Sequence, residues 1–242
     1  MKGSNIFILE IDNCILGDLK YNKAQYNIHR FINNIYRNKK YNIEINLLRP
    51  GVIDFIQFIK KKYNAEIYIY SYNDTCWIND IVVPNIQKHF TINKPYFTKA
   101  DIINDNFPLD TISKNIFYPK YKKINNITFL SSYNATIQLN NRQLIVPEYN
   151  NVEYIDLYEN IIQCYGKNIF DNKEIKDFFY NIENKLSAVY LENHTDEIYL
   201  GLKKIFSMRY VELNNANDDT FFLSLIEKLT DLSDKTIKKL SL

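Results

Sequence analysis

Glu10 and Asp12 stand one residue apart at the end of an apolar run, Ile6–Ile11 (IFILEI). Buried parallel strands read as near-continuous apolar runs, and open α/β sheets carry their chemistry at the carboxyl ends of strands. An acidic pair at such an end is a candidate for carboxylate chemistry; the alternative is a plain polar strand end. Asp12-Asn13-Cys14 reads as a sharp exit. Ser71 closes a second such run, Glu66–Tyr70 (EIYIY), and Ser131-Ser132 close a third, Ile127–Leu130 (ITFL). Thiol and imidazole chemistry find less support. Cys14, Cys76 and Cys164 are scattered, with no CxxC and no Cys/His pair at zinc spacing. His29, His89 and His194 lie far apart, and each alone reads as structural.

The positioning elements follow from hydrophobic spacing. Residues 21–41 suggest a helix and a loop. Arg49-Pro50-Gly51 is a punctuation signal, after which Val52, Phe55, Ile56 and Ile59 recur at helical spacing. Lys60-Lys61-Lys62 suits that helix's C-terminus. Asn73-Asp74-Thr75 can open a helix running to about Ile86. Residues 95–123 read as irregular, because Pro95, Pro108 and Pro119 interrupt any long element. Leu144–Val146 is a fourth strand, and a helix follows from about Asp156 to Cys164. Beyond it comes a second pattern: helix 173–182, strand 188–191, helix 197–206, strand 209–213 and helix 219–229 with Asp218 as its cap. Alternating strands and helices mean an α/β fold with a mainly parallel central sheet.

Composition narrows the class. The chain has 242 residues, 46% of them hydrophobic and 24% charged, an ordinary balance for a globular protein. Its net charge of +2 gives no bulk field toward nucleic acid or membrane. Lys60–Lys62 and Lys120, Lys122 and Lys123 therefore read as solvated faces, and direct nucleic-acid binding is not expected. No apolar run reaches the roughly 20 residues of a membrane span. The N-terminus, with Glu10 and Asp12 in its first apolar run, does not read as a signal peptide. An intracellular location, cytoplasmic or nuclear, with reduced cysteines is the expectation. The 20 Tyr and only 5 Gly, with abundant Asn, Ile and Lys, match the bias of an AT-rich coding genome, such as that of a large DNA virus, a protist or a cytoplasmic genetic element.

Three segments carry a resemblance: LEIDNCIL at 9–16, LRPGVIDFIQFI at 48–59 and IYIYSYNDTCWINDIV at 67–82. Together they resemble the small C-terminal-domain phosphatases, the FCP1-like or NLI-interacting-factor branch of the haloacid dehalogenase superfamily. That family typically reads LDLDETLV, then a basic residue with RPG, then a strand ending in Thr or Ser followed six residues on by Tyr, where Trp77 stands here. Spacing continues the resemblance through ITFL and LIVPEY, so that it covers roughly residues 5–165. It implies a three-layer α/β sandwich of the haloacid dehalogenase type over 1–165, with 166–242 as a C-terminal βαβα extension or a continuation of the same domain.

The resemblance also implies a chemistry. Such enzymes attack phosphorus with an Asp carboxylate and use a second Asp two residues on as proton donor. A Ser or Thr and a Lys hold the phosphoryl group, and later carboxylates hold Mg²⁺. Here Glu10 takes the nucleophile position, Asp12 the acid–base position and Ser71 the phosphoryl-binding position. One extra methylene misplaces Glu10, and a displacement near 1 Å can cost roughly 10²-fold. Leu109 falls at the Lys position, with Lys114 five residues away. Ser131 and Ser132, poor Mg²⁺ ligands, fall where the metal carboxylates belong. A second register places Lys176, Glu192 and Asn193 in those positions instead.

The expectation is a catalytically inactive pseudophosphatase with no metal cofactor. It would bind a protein or an extended peptide, phosphorylated and Ser-rich, in a context linked to transcription. The alternatives are an active Mg²⁺-dependent phosphoserine phosphatase and a structural subunit of a multi-protein complex. A carboxylate facing Glu10 across the strand ends favours the enzyme; a serine there favours the inactive module.

Overall fold

The structure, a computed structural model, describes residues 3–37, 42–102, 108–132, 143–153, 155, 157–178 and 219–231. Among them a four-stranded, all-parallel sheet runs in the order β2-β1-β3-β4. Its strands are β1 (Ser4–Glu10), β2 (Ala65–Tyr70), β3 (Ile124–Ser132) and β4 (Gln143–Val146). The four strands expected before residue 150 are present and the α/β class holds. Helices are α1 (Lys20–Tyr36), α2 (Val52–Tyr63), α3 (75–87), α4 (109–120), α5 (Leu157–Tyr165) and α6 (Phe221–Asp231). Residues 173–178 are helical, whereas 188–193, 197–206 and 209–213 lie outside the described residues. No helix among the described residues is long and apolar enough to cross a membrane.

Strand alternation divides the core between two faces. Ile6 and Ile8, Tyr68 and Tyr70, and Ile127 and Phe129 share one face, packed against Phe97 and against Ile112 and Phe117 of α4. From β1 the chain crosses one way to β2 through α2, then the other way to β3 through α3 and α4. Right-handed crossovers therefore place α2 and α4 on opposite faces. Val52, Phe55, Ile56 and Ile59 form α2's buried stripe, as their spacing predicts. Gly51 precedes them at φ 76, a left-handed backbone that glycine adopts without strain.

Residues 95–123 depart from the sequence expectation: 109–120 is helical. Pro108 sits just before α4, where its missing N–H costs nothing, and its carbonyl accepts from Ile112 N–H at 2.9 Å. Pro119 follows a π-helical stretch, Ser113–Phe117, and Pro84 likewise follows one at Ile78–Val82 within α3. A proline donates no hydrogen bond and crowds the carbonyl four residues back, so a widened turn accommodates it where a break is expected.

The described chain separates into two compact units. One draws on residues 1–19, 45–152 and 214–242, and contains the sheet; the other draws on 20–44 and 153–213. In the second, His29 is buried and held between Tyr165 Oη at 2.9 Å and Asn160 Oδ1 at 2.7 Å, a satisfied structural histidine. Burial holds its pKa below the ordinary value.

The first unit contains a close approach at Gly17. A Cβ there would lie 2.1 Å from the backbone oxygen of Asn151, which accepts the neighbouring Asp18 N–H at 2.7 Å. Gly17→Ala must push apart two hydrogen-bonded backbone segments. We expect a loss of about 3 kcal/mol or more, read by urea denaturation; a loss under about 0.5 kcal/mol, the scale of ordinary surface substitutions, would contradict this packing.

Candidate functional site

Strand alternation puts Glu10 on the same face as Ile6 and Ile8, where β1 ends beside Tyr70. Its carboxylate thus continues an apolar surface and is 8% exposed. Across the sheet, Ser132 at the end of β3 donates its backbone N–H to Glu10 Oε2 at 2.6 Å and its hydroxyl at 3.1 Å. Burial pushes the Glu10 carboxyl up to about 7, and the charges of Asp12 and Glu148 act in the same direction. The two Ser132 bonds oppose this without overcoming it.

Asp12 lies just past the strand, in the sharp exit expected from the sequence. Asn13 turns the chain at φ 53, a left-handed conformation that asparagine tolerates. Asp12 Oδ2 accepts the Ser71 hydroxyl at 2.5 Å, and Oδ1 accepts Asn73 Nδ2 at 2.9 Å. Ser71 is fully buried at the end of β2, and its oxygen also accepts the Asn73 backbone N–H at 3.2 Å. Glu10, Asp12 and Ser71 are therefore brought together at adjacent carboxyl ends.

Three contributors were not singled out from sequence. Asn73 was grouped with a helix start, yet Asp74 is the cap, accepting from Trp77 N–H at 3.0 Å, which frees Asn73 to face Asp12. Glu148 accepts Asn13 Nδ2 at 3.3 Å, and only the Pro147-Glu148-Tyr149 spacing hinted at it. Arg49, read as part of a turn signal, is 2% exposed. Its Nη1 donates to Pro147 O at 2.7 Å and to Cys14 O at 3.3 Å, and its Nη2 pairs with Asp219 at 2.8 Å. It stacks over Tyr149, Phe221 and Phe222 at 5.0–5.5 Å. Asp219 also accepts Phe221 N–H at 3.1 Å, placing a capping carboxylate at the start of α6; Asp218, the expected cap, lies outside the described residues.

Leu109 opens α4, and Lys114 is exposed on the same helix. Lys176 belongs to the second unit, and Glu192 and Asn193 lie outside the described residues. Both edges of β1 are taken by β2 and β3, so the residues facing Glu10 from β3 are Ser131 and Ser132.

Magnesium does not fit the residues gathered here. A hard divalent ion wants several free oxygen ligands, carboxylates above all. Glu10 Oε2 and both oxygens of Asp12 already accept hydrogen bonds, and β3 ends in hydroxyls. Among the described residues, no group of three or more His, Cys, Asp or Glu could hold a metal ion.

No protein-family model matches the sequence, and a search of curated proteins finds no match.

Proposed function

We propose that the chain is a catalytically inactive phosphatase-like module that binds an extended peptide or protein at the carboxyl ends of its sheet. The observation that carries this reading is the capture of Glu10 by Ser132. A serine N–H and hydroxyl occupy the place where an aspartate-nucleophile phosphatase needs a metal-binding carboxylate. Retention of Asp12 hydrogen-bonded to Ser71 supports descent from such a site, as does RPG before α2.

Tyr72 supports the binding half of the proposal. It lies between Ser71 and Asn73, is 41% exposed, and carries Lys99 Nζ over its ring at 4.9 Å. An exposed aromatic face with an adjacent cation suits a peptide bearing anionic groups. The test is fluorescence anisotropy with a Ser-rich peptide, phosphorylated and not. We expect saturable binding that Tyr72→Ala weakens about tenfold or more, the scale of a hot-spot truncation. Failure of both peptides to bind would overturn the peptide-module reading. Binding unaffected by Tyr72→Ala would place the docking surface elsewhere.

A further inference from the structure

The opposite end of the sheet carries a feature that peptide binding at the carboxyl ends does not use. Residues 61–64 lead into β2, 122–123 lead into β3, and 93–97 run beside β2's outer edge. Asn93 N–H donates to Ile67 O at 2.7 Å and Phe97 N–H to Ile69 O at 3.0 Å, with Phe97 parallel to Tyr70. Ala65 and Asn126 both pair with Asn5 of β1, so β2 and β3 begin about 10 Å apart, two strand spacings. Further ties close the face: Lys60 Nζ donates to Thr91 O at 3.0 Å, and Lys120 Nζ donates to Tyr68 Oη at 2.9 Å and lies 3.4 Å from Lys94 O.

The fold thus brings two lysine runs some 60 residues apart to the amino ends of β2 and β3, the strands that flank β1, with Lys94 beside the outer edge of β2. Lys61, Lys94, Lys120, Lys122 and Lys123 are all exposed. Glu66, a carboxylate at this end, is engaged by Asn93 Nδ2 at 2.8 Å. Tyr118 stands among the lysines, 58% exposed, with Tyr121 and Tyr96 half-buried nearby. Glu10, Asp12 and Glu148 lie at the other, carboxyl end of the strands.

We infer that this amino-end face binds single-stranded nucleic acid. Ammonium groups on a strip follow a phosphate backbone, and an exposed tyrosine among them offers a base a stacking surface. Nucleic acid is the favoured partner because its backbone carries a charge at every residue and a base beside each, which matches several exposed ammonium groups around one exposed ring.

The test is fluorescence anisotropy of a labelled oligo-dT with the full chain. We expect binding at about 50 mM salt that falls roughly a hundredfold by about 200 mM, as five neutralised phosphates imply. The combined variant Lys61→Glu, Lys122→Glu, Lys123→Glu should weaken it at least about tenfold with an unchanged melting temperature, and Tyr118→Ala should weaken it at unchanged salt dependence. No binding at the lower salt, or equal binding by the charge-reversed variant, would overturn the inference. So would poly-glutamate competing as well as unlabelled oligo-dT, which would point to an acidic protein partner. The peptide assay with Tyr72→Ala reads the other end of the sheet, so the two proposals fail independently.

Discussion

Arg49→Met will cost about 3–5 kcal/mol of stability, the range for removing one partner of a buried ion pair. The guanidinium reaches three separate segments: the turn after β1 through Cys14 O, the loop after β4 through Pro147 O, and the start of α6 through Asp219. Methionine keeps much of the stem volume but leaves Asp219, 19% exposed, without its cation, and the carbonyls of Cys14 and Pro147 without the guanidinium N–H groups. The unmade partners dominate, because an intact buried pair can be nearly neutral against apolar replacements while a broken one is not. Arg49→Met with Asp219→Asn, which removes the unpaired charge but keeps an acceptor for Phe221 N–H, should therefore recover part of the loss. Urea denaturation of the single and double variants checks this. A loss under about 1 kcal/mol, the scale of an exposed pair, would mean that Arg49 does not join these segments.

Glu10→Gln should stabilise the protein above neutrality and flatten its pH profile. The carboxyl titrates near its ordinary 4.5 when unfolded and at about 7 when folded. Between those values the folded chain binds more protons than the unfolded one, so stability falls as pH rises through this window. Below about 4.5 the penalty is absent, and above about 7 it is fully present. At about 1.4 kcal/mol per pH unit, the interval corresponds to about 3 kcal/mol. Glutamine cannot ionise, and its oxygen can still accept from the Ser132 N–H. Denaturation midpoints of the two proteins should therefore converge near pH 4.5 and separate by pH 8, with the variant more stable. Parallel profiles would show that Glu10 is solvated and ordinary, and its capture by Ser132 would then be wrong.

The four strands were legible because each is a short apolar run with a polar stop, and α2 because its apolar residues keep one face. Glu10, Asp12 and Ser71 were legible because strand ends in a parallel sheet converge. What sequence could not supply was partner choice across distance. Ser132 could be named as a poor metal ligand, but not as the donor to Glu10, because that depends on the β1–β3 register. Arg49 gave a local turn signal, while its partners lie 35 to 170 residues away. The helix at 109–120 is not legible in the sequence because proline ordinarily breaks helices, whereas Pro108 lies ahead of the first turn and Pro119 follows a π stretch that absorbs it.

The most direct test of the central claim is hydrolysis of a generic aryl phosphate with Mg²⁺ present, wild type beside Asp12→Asn. An inactive module predicts no turnover by the wild type above that of the variant. Metal-dependent turnover that Asp12→Asn abolishes would mean a working active site, and the pseudophosphatase account would be wrong.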